Sequence, residues 1–164
     1  MGARGRPPPD GCGHTPDMDP SVPANAYGLP VRVTTDMVDL QRRVSNHEIL
    51  RIFSRAAAMH SDSLGWDLDA YRELGAWWVV RRHEVDYLQP ARMDDELVCY
   101  TWPCGLRKAR AMRRHVLERP ADGVVIARGL NTWALIDLET ERPRRIPQEV
   151  IDAFDPARWV LEDE

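Results

Sequence analysis

The sequence predicts an α+β domain in which an antiparallel sheet wraps one long helix. Three observations carry that prediction. A short strand near residue 30 comes first, an amphipathic helix capped by Ser45 or Asn46 and running to about Ser63 follows, and the chain then turns strand-like from Gly75 to Asp137.

The elements follow in order. Residues 1–25 are rich in Pro, Gly and Asp, include Pro7-Pro8-Pro9, and read as a disordered tail with no part in the fold. Order is expected near Tyr27, with a strand over Leu29 to Thr34 that puts Val31 and Val33 on one face. Ser45 or Asn46 then caps a helix to about Ser63, where Ile49, Phe53, Ala56 or Ala57, and Met59 or His60 recur at helical spacing. Gly65 suits its stop, and a shorter helix over Leu68 to Leu74 follows. Trp77 to Val80 leads through Val85 to Tyr87, and Pro90 ends that strand. Asp94-Asp95 turns the chain into Glu96 to Trp102, and Pro103 and Gly105 bend it. A strand over Ala109 to Arg119 reaches the turn Pro120-Ala121-Asp122-Gly123. The last strand, Val124 to Asp137, sets Val125, Ala127, Gly129, Asn131, Trp133 and Leu135 on one face. The domain is expected over residues 26–156, with a tail at 157–164.

At 164 residues, 43% hydrophobic and 29% charged, the chain suits one soluble domain with a real core. A net charge of -4 argues against wholesale nucleic-acid binding. No apolar run approaches the roughly 20 residues of a membrane span, and residues 1–30 lack the apolar segment of a secretory signal. A cytoplasmic location is expected. Cys12, Cys99 and Cys104 form an odd set without metal-ligand spacing, so buried free thiols are expected, with Cys104 as a nucleophile the sharper alternative. No metal or cofactor is implied.

The stretch from Asp36 through Asp39 to Asn46 carries the functional reading. It sets an acid on a loop just ahead of a helix start, where backbone N–H groups lack intrahelical partners and the macrodipole favours negative charge. Hydrolysis of an acyl group needs that pairing: one group to activate water, another to hold an oxyanion. Asp39 is the first candidate acid and Asp36 its rival. The bland alternative is a loop acid that stabilises the helix by roughly 0.3–1 kcal/mol. His47 reads as an exposed first-turn residue, His60 as buried or at an interface, and His83 and His115 as surface or interface groups among arginines. Phe53, Trp77 and Trp133 read first as core. The run Arg107-Lys108-Ala109-Arg110-Ala111-Met112-Arg113-Arg114 is either a solvated face or a platform for an acidic partner or phosphates.

Three segments, in order, carry a family resemblance. They are Asp39 with Val44-Ser45-Asn46; Gly75 to Val85 followed by Asp95-Glu96-Leu97 and Thr101-Trp102-Pro103-Cys104-Gly105; and Thr132 to Pro147. Together they make the chain resemble hotdog-fold thioesterases, most of all the bacterial acyl-ACP thioesterase branch of the 4-hydroxybenzoyl-CoA thioesterase-like group. The resemblance implies a bent antiparallel sheet around the helix, two such units paired edge to edge as a homodimer or tetramer, and an active site at their interface. It implies hydrolysis of a fatty-acyl thioester of acyl carrier protein or coenzyme A. Asp39 would be the base or nucleophile and the Asn46 backbone N–H the oxyanion donor. Two family positions depart: an Asn and a His follow the acid in related enzymes, and here Gln41 and Arg43 stand there. Gln41 keeps an amide to orient water, whereas Arg43 is effectively always protonated and cannot transfer a proton. Arg43, His47, Phe53, Trp77, Arg107, Lys108 and Arg110 are the expected substrate-binding residues. The alternative function is an acyl- or carrier-binding hotdog protein without turnover.

Overall fold

In the computed structural model, described for Asp19 and residues 21–154, the elements run β1 (Tyr27–Arg32), α1 (Asn46–Ser63), α2 (Leu68–Leu74), β2 (Ala76–Tyr87), β3 (Glu96–Arg107), β4 (Arg110–Arg119), β5 (Val124–Asp137) and α3 (Gln148–Phe154). The five strands form one antiparallel sheet in the order β1-β3-β4-β5-β2. Helix α1 lies on its inner face. Ile49, Ile52, Phe53 and Ala56 bury against Leu29 and Val31 of β1, Leu97 and Cys99 of β3, Leu117 of β4, and Ile126 and Ala127 of β5. The expected α+β hotdog architecture is the observed one.

The helix begins as its sequence dictates. Ser45, not Asn46, is the cap, and its hydroxyl accepts from the Glu48 backbone N–H at 3.3 Å. Helix α2 ends at Gly75, whose φ of 68° a side chain would resist, and the chain turns directly into β2.

The sheet is bent by one extra residue in each of three strands: Arg81 in β2, Cys104 in β3 and Ile126 in β5. The Ile126 bulge corrects the expected alternation of β5. Ala127, Gly129, Asn131, Trp133 and Leu135 do share the inner face, but Val125 turns to the outer one, where it meets Val22, Trp102 and Val116. Strand β3 runs on through Pro103 and Gly105 instead of ending there, because the bulge absorbs the irregularity.

Three further expectations change. Asp19 and Val22 belong to the fold, although residues 1–25 read as a tail: Val22 covers Trp102, and Asp19 pairs with Arg128. A lone valine among prolines and polar residues has no periodicity to read. The rest of that segment up to residue 18, and the expected tail at 157–164, lie outside the described residues. His115 and Arg113 are buried rather than on the surface, because they share the inward-facing side of β4 with Leu117. Helix α3 was not anticipated. Its Val150 and Phe154 bury against Ala76, Leu135 and Ile146, and close the far end of the core.

Candidate active site

The loop that holds Asp39 is a tight hairpin. Val38 and Val44 bridge its base, the Asp39 N–H donates to the Arg43 carbonyl at 2.8 Å, and the Arg42 N–H donates to the Asp39 carbonyl at 2.9 Å. The Asp39 carboxylate folds back on this loop. Its Oδ1 accepts from the backbone N–H of Gln41 at 2.8 Å and of Arg43 at 3.2 Å. Arg42 supplies the left-handed turn with φ of 60°, where glycine is the unstrained choice. Asp39, Leu40, Gln41, Arg42 and Arg43 are all exposed on the single chain, Leu40 completely.

The hairpin is tied to the helix mouth by the Ser45 N–H, which donates to the Met37 carbonyl at 3.1 Å. Ser45 occupies the amides of Glu48 and Ile49, whereas those of Asn46 and His47 have no acceptor among the described residues. Asn46 and His47 are exposed. Asp36, the rival acid, is exposed too. The Thr34 hydroxyl donates to it at 2.6 Å, and chiefly that bond holds its carboxyl below the usual carboxylate range.

The acyl-sized space lies elsewhere. A cavity of about 290 Å³ opens between α1, α2 and the sheet, with Ala57, Ala58, Trp77, Trp78, Leu106, Met112, Trp133 and Phe154 in its apolar wall. Ser54 is its first lining residue on α1, eight positions beyond Asn46 and thus roughly 12 Å along the helix axis at 1.5 Å per residue. One copy therefore presents the acid and helix mouth on its surface, and the cavity farther along the same helix. Trp77 lines this cavity. Phe53 does not: it is completely buried, stacked on His115 with ring centroids 4.7 Å apart.

Arg113 is the polar residue that sequence reading missed here. It lines the cavity at 8% exposure, and its Nη1 donates to His60 Nδ1 at 2.9 Å and to Thr101 Oγ1 at 3.3 Å. Arginine has no acceptor, so His60 is neutral with its proton on Nε2. Burial first, and the Arg113 charge second, pull His60 down to about 3. The inward period of β4 was the available signal, masked by the density of arginines around it.

Arg107, Lys108 and Arg110 come together on a different surface. With Arg81 and Arg82 they line a broad groove of about 1100 Å³, where Glu84 is the one acid among its lining residues and already pairs with Arg82 at 2.9 Å. Among the described residues the thiols offer no nucleophile of the activated kind: burial pushes both Cys99 and half-buried Cys104 up, away from the thiolate, and Cys12 lies outside those residues. Among the described residues no cluster of three or more His, Cys, Asp or Glu is arranged to hold a metal, and no helix is long and apolar enough to cross a membrane.

Known proteins bear on this arrangement. The family model of the acyl-ACP thioesterase N-terminal domain matches residues 25–154. The chain is 23% identical to an oleoyl-acyl carrier protein thioesterase of Arabidopsis thaliana, over 71% of its own length and 34% of the plant protein. It spans about a third of the length of the curated relatives it matches. Among solved structures, a 1,4-dihydroxy-2-naphthoyl-CoA thioesterase from Synechocystis superposes with a TM-score of 0.73 at 16% identity, over 79% of this chain and 96% of that one. A Staphylococcus aureus protein solved in complex with CoA gives 0.76 at 16% identity, over 82% and 84%. These two likenesses establish the fold.

Proposed function

This chain belongs to the acyl-ACP thioesterase family, and from that membership we propose that it hydrolyses an acyl thioester of acyl carrier protein or coenzyme A to the free acid and thiol. The observation that carries the reading is the apolar cavity between α1, α2 and the sheet, set roughly 12 Å along α1 from a helix mouth where two amides have no acceptor among the described residues. The acyl chain occupies the cavity. At about 290 Å³ it sits at the low end of the roughly 300–1,000 Å³ of small-molecule pockets, which favours a short or medium chain over a long one.

The reaction needs two copies on this reading. A single copy separates Asp39 from the cavity, and the outer edge of β2 is unpaired among the described residues over twelve positions, with Trp77 and Val80 exposed along it. Pairing of two such edges gives a homodimer in which one copy's hairpin meets the other's substrate. The thioester carbonyl points at the Asn46 amide, and Asp39 activates water through Oδ2, since Oδ1 is held by the loop. An oxyanion donor contributes about 2.7–4 kcal/mol and a positioned base about a hundredfold or more. The groove of Arg81, Arg82, Arg107, Lys108 and Arg110 suits the acidic surface of a carrier protein or the phosphates of coenzyme A.

A release-of-thiol assay over acyl-ACP and acyl-CoA substrates of graded chain length tests the activity. Asp39→Asn isolates the acid, because the Asn carbonyl oxygen still accepts from Gln41 and Arg43 while the base is lost. We expect hydrolysis to fall by about a hundredfold or more with folding unchanged. Wild-type rates in that variant would remove Asp39 from the mechanism. Binding without turnover is the second reading, and the exposed Gln41 and Arg43 beside a carboxylate already engaged in its own loop favour it. Tight acyl binding by a protein that releases no thiol from any substrate would establish it.

A further inference from the structure

Arg113 is a cation in the wall of an apolar cavity, and the described residues bring no carboxylate within ion-pair distance of it. Its two hydrogen-bond partners, His60 and Thr101, are neutral, and so is the Phe154 ring whose centroid lies 5.5 Å from the guanidinium carbon. The other groups whose charge bears on it are Tyr71, Cys104 and Cys99, which burial keeps protonated at neutral pH. Burial pulls Arg113 itself down to about 10, so it remains charged. A buried charge without a counter-charge is expensive, and a fold retains one where something else supplies the opposite sign.

The unused donors have a definite shape. Nη1 serves His60 and Thr101, while Nε and Nη2 make no hydrogen bond among the described residues. The Nε–H and one Nη2–H point the same way along one edge of the guanidinium plane, the edge that matches the two oxygens of a carboxylate. A second donor shares the wall: Trp133 Nε1 is buried without a partner among the described residues. The acids among the lining residues, Asp62 and Asp67, are exposed, so they mark the solvent side of the cavity and Arg113 its buried side.

We propose that the cavity binds an apolar chain ending in a carboxylate, with the carboxylate seated on the Nε–Nη2 edge of Arg113. The inference rests on reading the cavity as the seat of the acyl chain, but not on hydrolysis itself. Two sources supply that chemistry: a free fatty acid, the reaction's product class, that enters the cavity carboxylate first, or the far end of a dicarboxylic acyl group still joined as a thioester.

Binding is read directly from the fluorescence of the cavity-lining Trp77, Trp78 and Trp133 in the full chain. The probes are decanoate, 1-decanol and methyl decanoate. The wild type should bind decanoate at least tenfold more tightly than either neutral probe. Arg113→Met, which keeps the length and apolar volume of the stem, should bring the three affinities together by weakening decanoate alone. Equal affinity of the wild type for decanoate and 1-decanol would overturn the proposal even if the variant fails to fold. So would an Arg113→Met protein that keeps the preference. Thiol release from the coenzyme A monothioester of decanedioic acid, compared with decanoyl-CoA, then separates the sources. Faster turnover of the first assigns the far carboxylate, whereas faster turnover of the second with competitive inhibition by decanoate assigns the product. Decanoate preference with turnover of neither, nor of the same two acyl groups carried on acyl carrier protein, would refute the hydrolase reading and leave the carboxylate site standing.

Discussion

Acidification to pH 5 should weaken this fold through His60, by an amount the structure allows to be worked out. The imidazole is buried, stacked on Tyr27 with ring centroids 5.2 Å apart, edge-on to Phe154, and bound through Nδ1 to a guanidinium. Burial and then the Arg113 charge lower it from 6.5 to about 3. The folded protein therefore binds fewer protons than the unfolded chain between those two values. The stabilisation is complete above pH 6.5 and drains away as pH falls toward 3. Each pH unit below 6.5 removes about 1.4 kcal/mol, which amounts to about 2 kcal/mol at pH 5. His115, depressed by burial first and then by Arg113 and His83, works in the same direction. Asp62 and Glu118, raised chiefly by burial, work in the opposite one. A comparison with His60→Gln cancels these other groups, because the glutamine oxygen can still accept from Arg113 while titrating nothing. Urea unfolding followed by tryptophan fluorescence at pH 7, 6 and 5 measures the difference. The wild-type stability should fall more steeply than that of the variant by about 1.4 kcal/mol per unit below pH 6.5. Parallel curves for the two proteins would refute the assignment of a neutral, acceptor-bound His60.

Two further substitutions test the packing and the loop. A Cβ added at Gly129 would stand 2.5 Å from Phe53 Cε2 and 3.0 Å from its Cδ2, and the ring cannot retreat because it is wholly buried against His115. Gly129→Ala should cost about 1–3 kcal/mol, seen as a lower melting temperature by circular dichroism, and Phe53→Leu in the same chain should recover part of it. At Arg42 the left-handed turn strains a side chain, so Arg42→Gly should raise stability by about 0.5–1 kcal/mol in urea titrations without lowering helix content. A destabilised Arg42→Gly protein would mean that the arginine makes contacts worth more than the strain it carries.

Periodicity alone delivered the helix from Asn46 to Ser63, the short helix to Leu74, and the bounds of β5, since local spacing of apolar residues is what selects helix or strand. It also read the loop acid ahead of an open helix start. Reading failed wherever a partner distant in the chain decided the outcome. The single residue Ile126 bulges out of β5 and reverses Val125, and no local signal distinguishes that from a regular strand. Arg113 and His115 stand in a run of arginines that reads as a solvated face, yet β4 is an inner strand and alternate residues must face α1. Val22 and Asp19 read as tail because what holds them, Trp102 and Arg128, lies far off in the chain, 109 positions away for the Asp19–Arg128 pair. Residue pattern by itself determined that a long amphipathic helix must rest on a sheet, because an apolar stripe has to leave water. Only tertiary structure decided that the space between them carries a buried guanidinium with one edge unengaged among the described residues, because burial and pairing are properties of neighbours rather than of sequence.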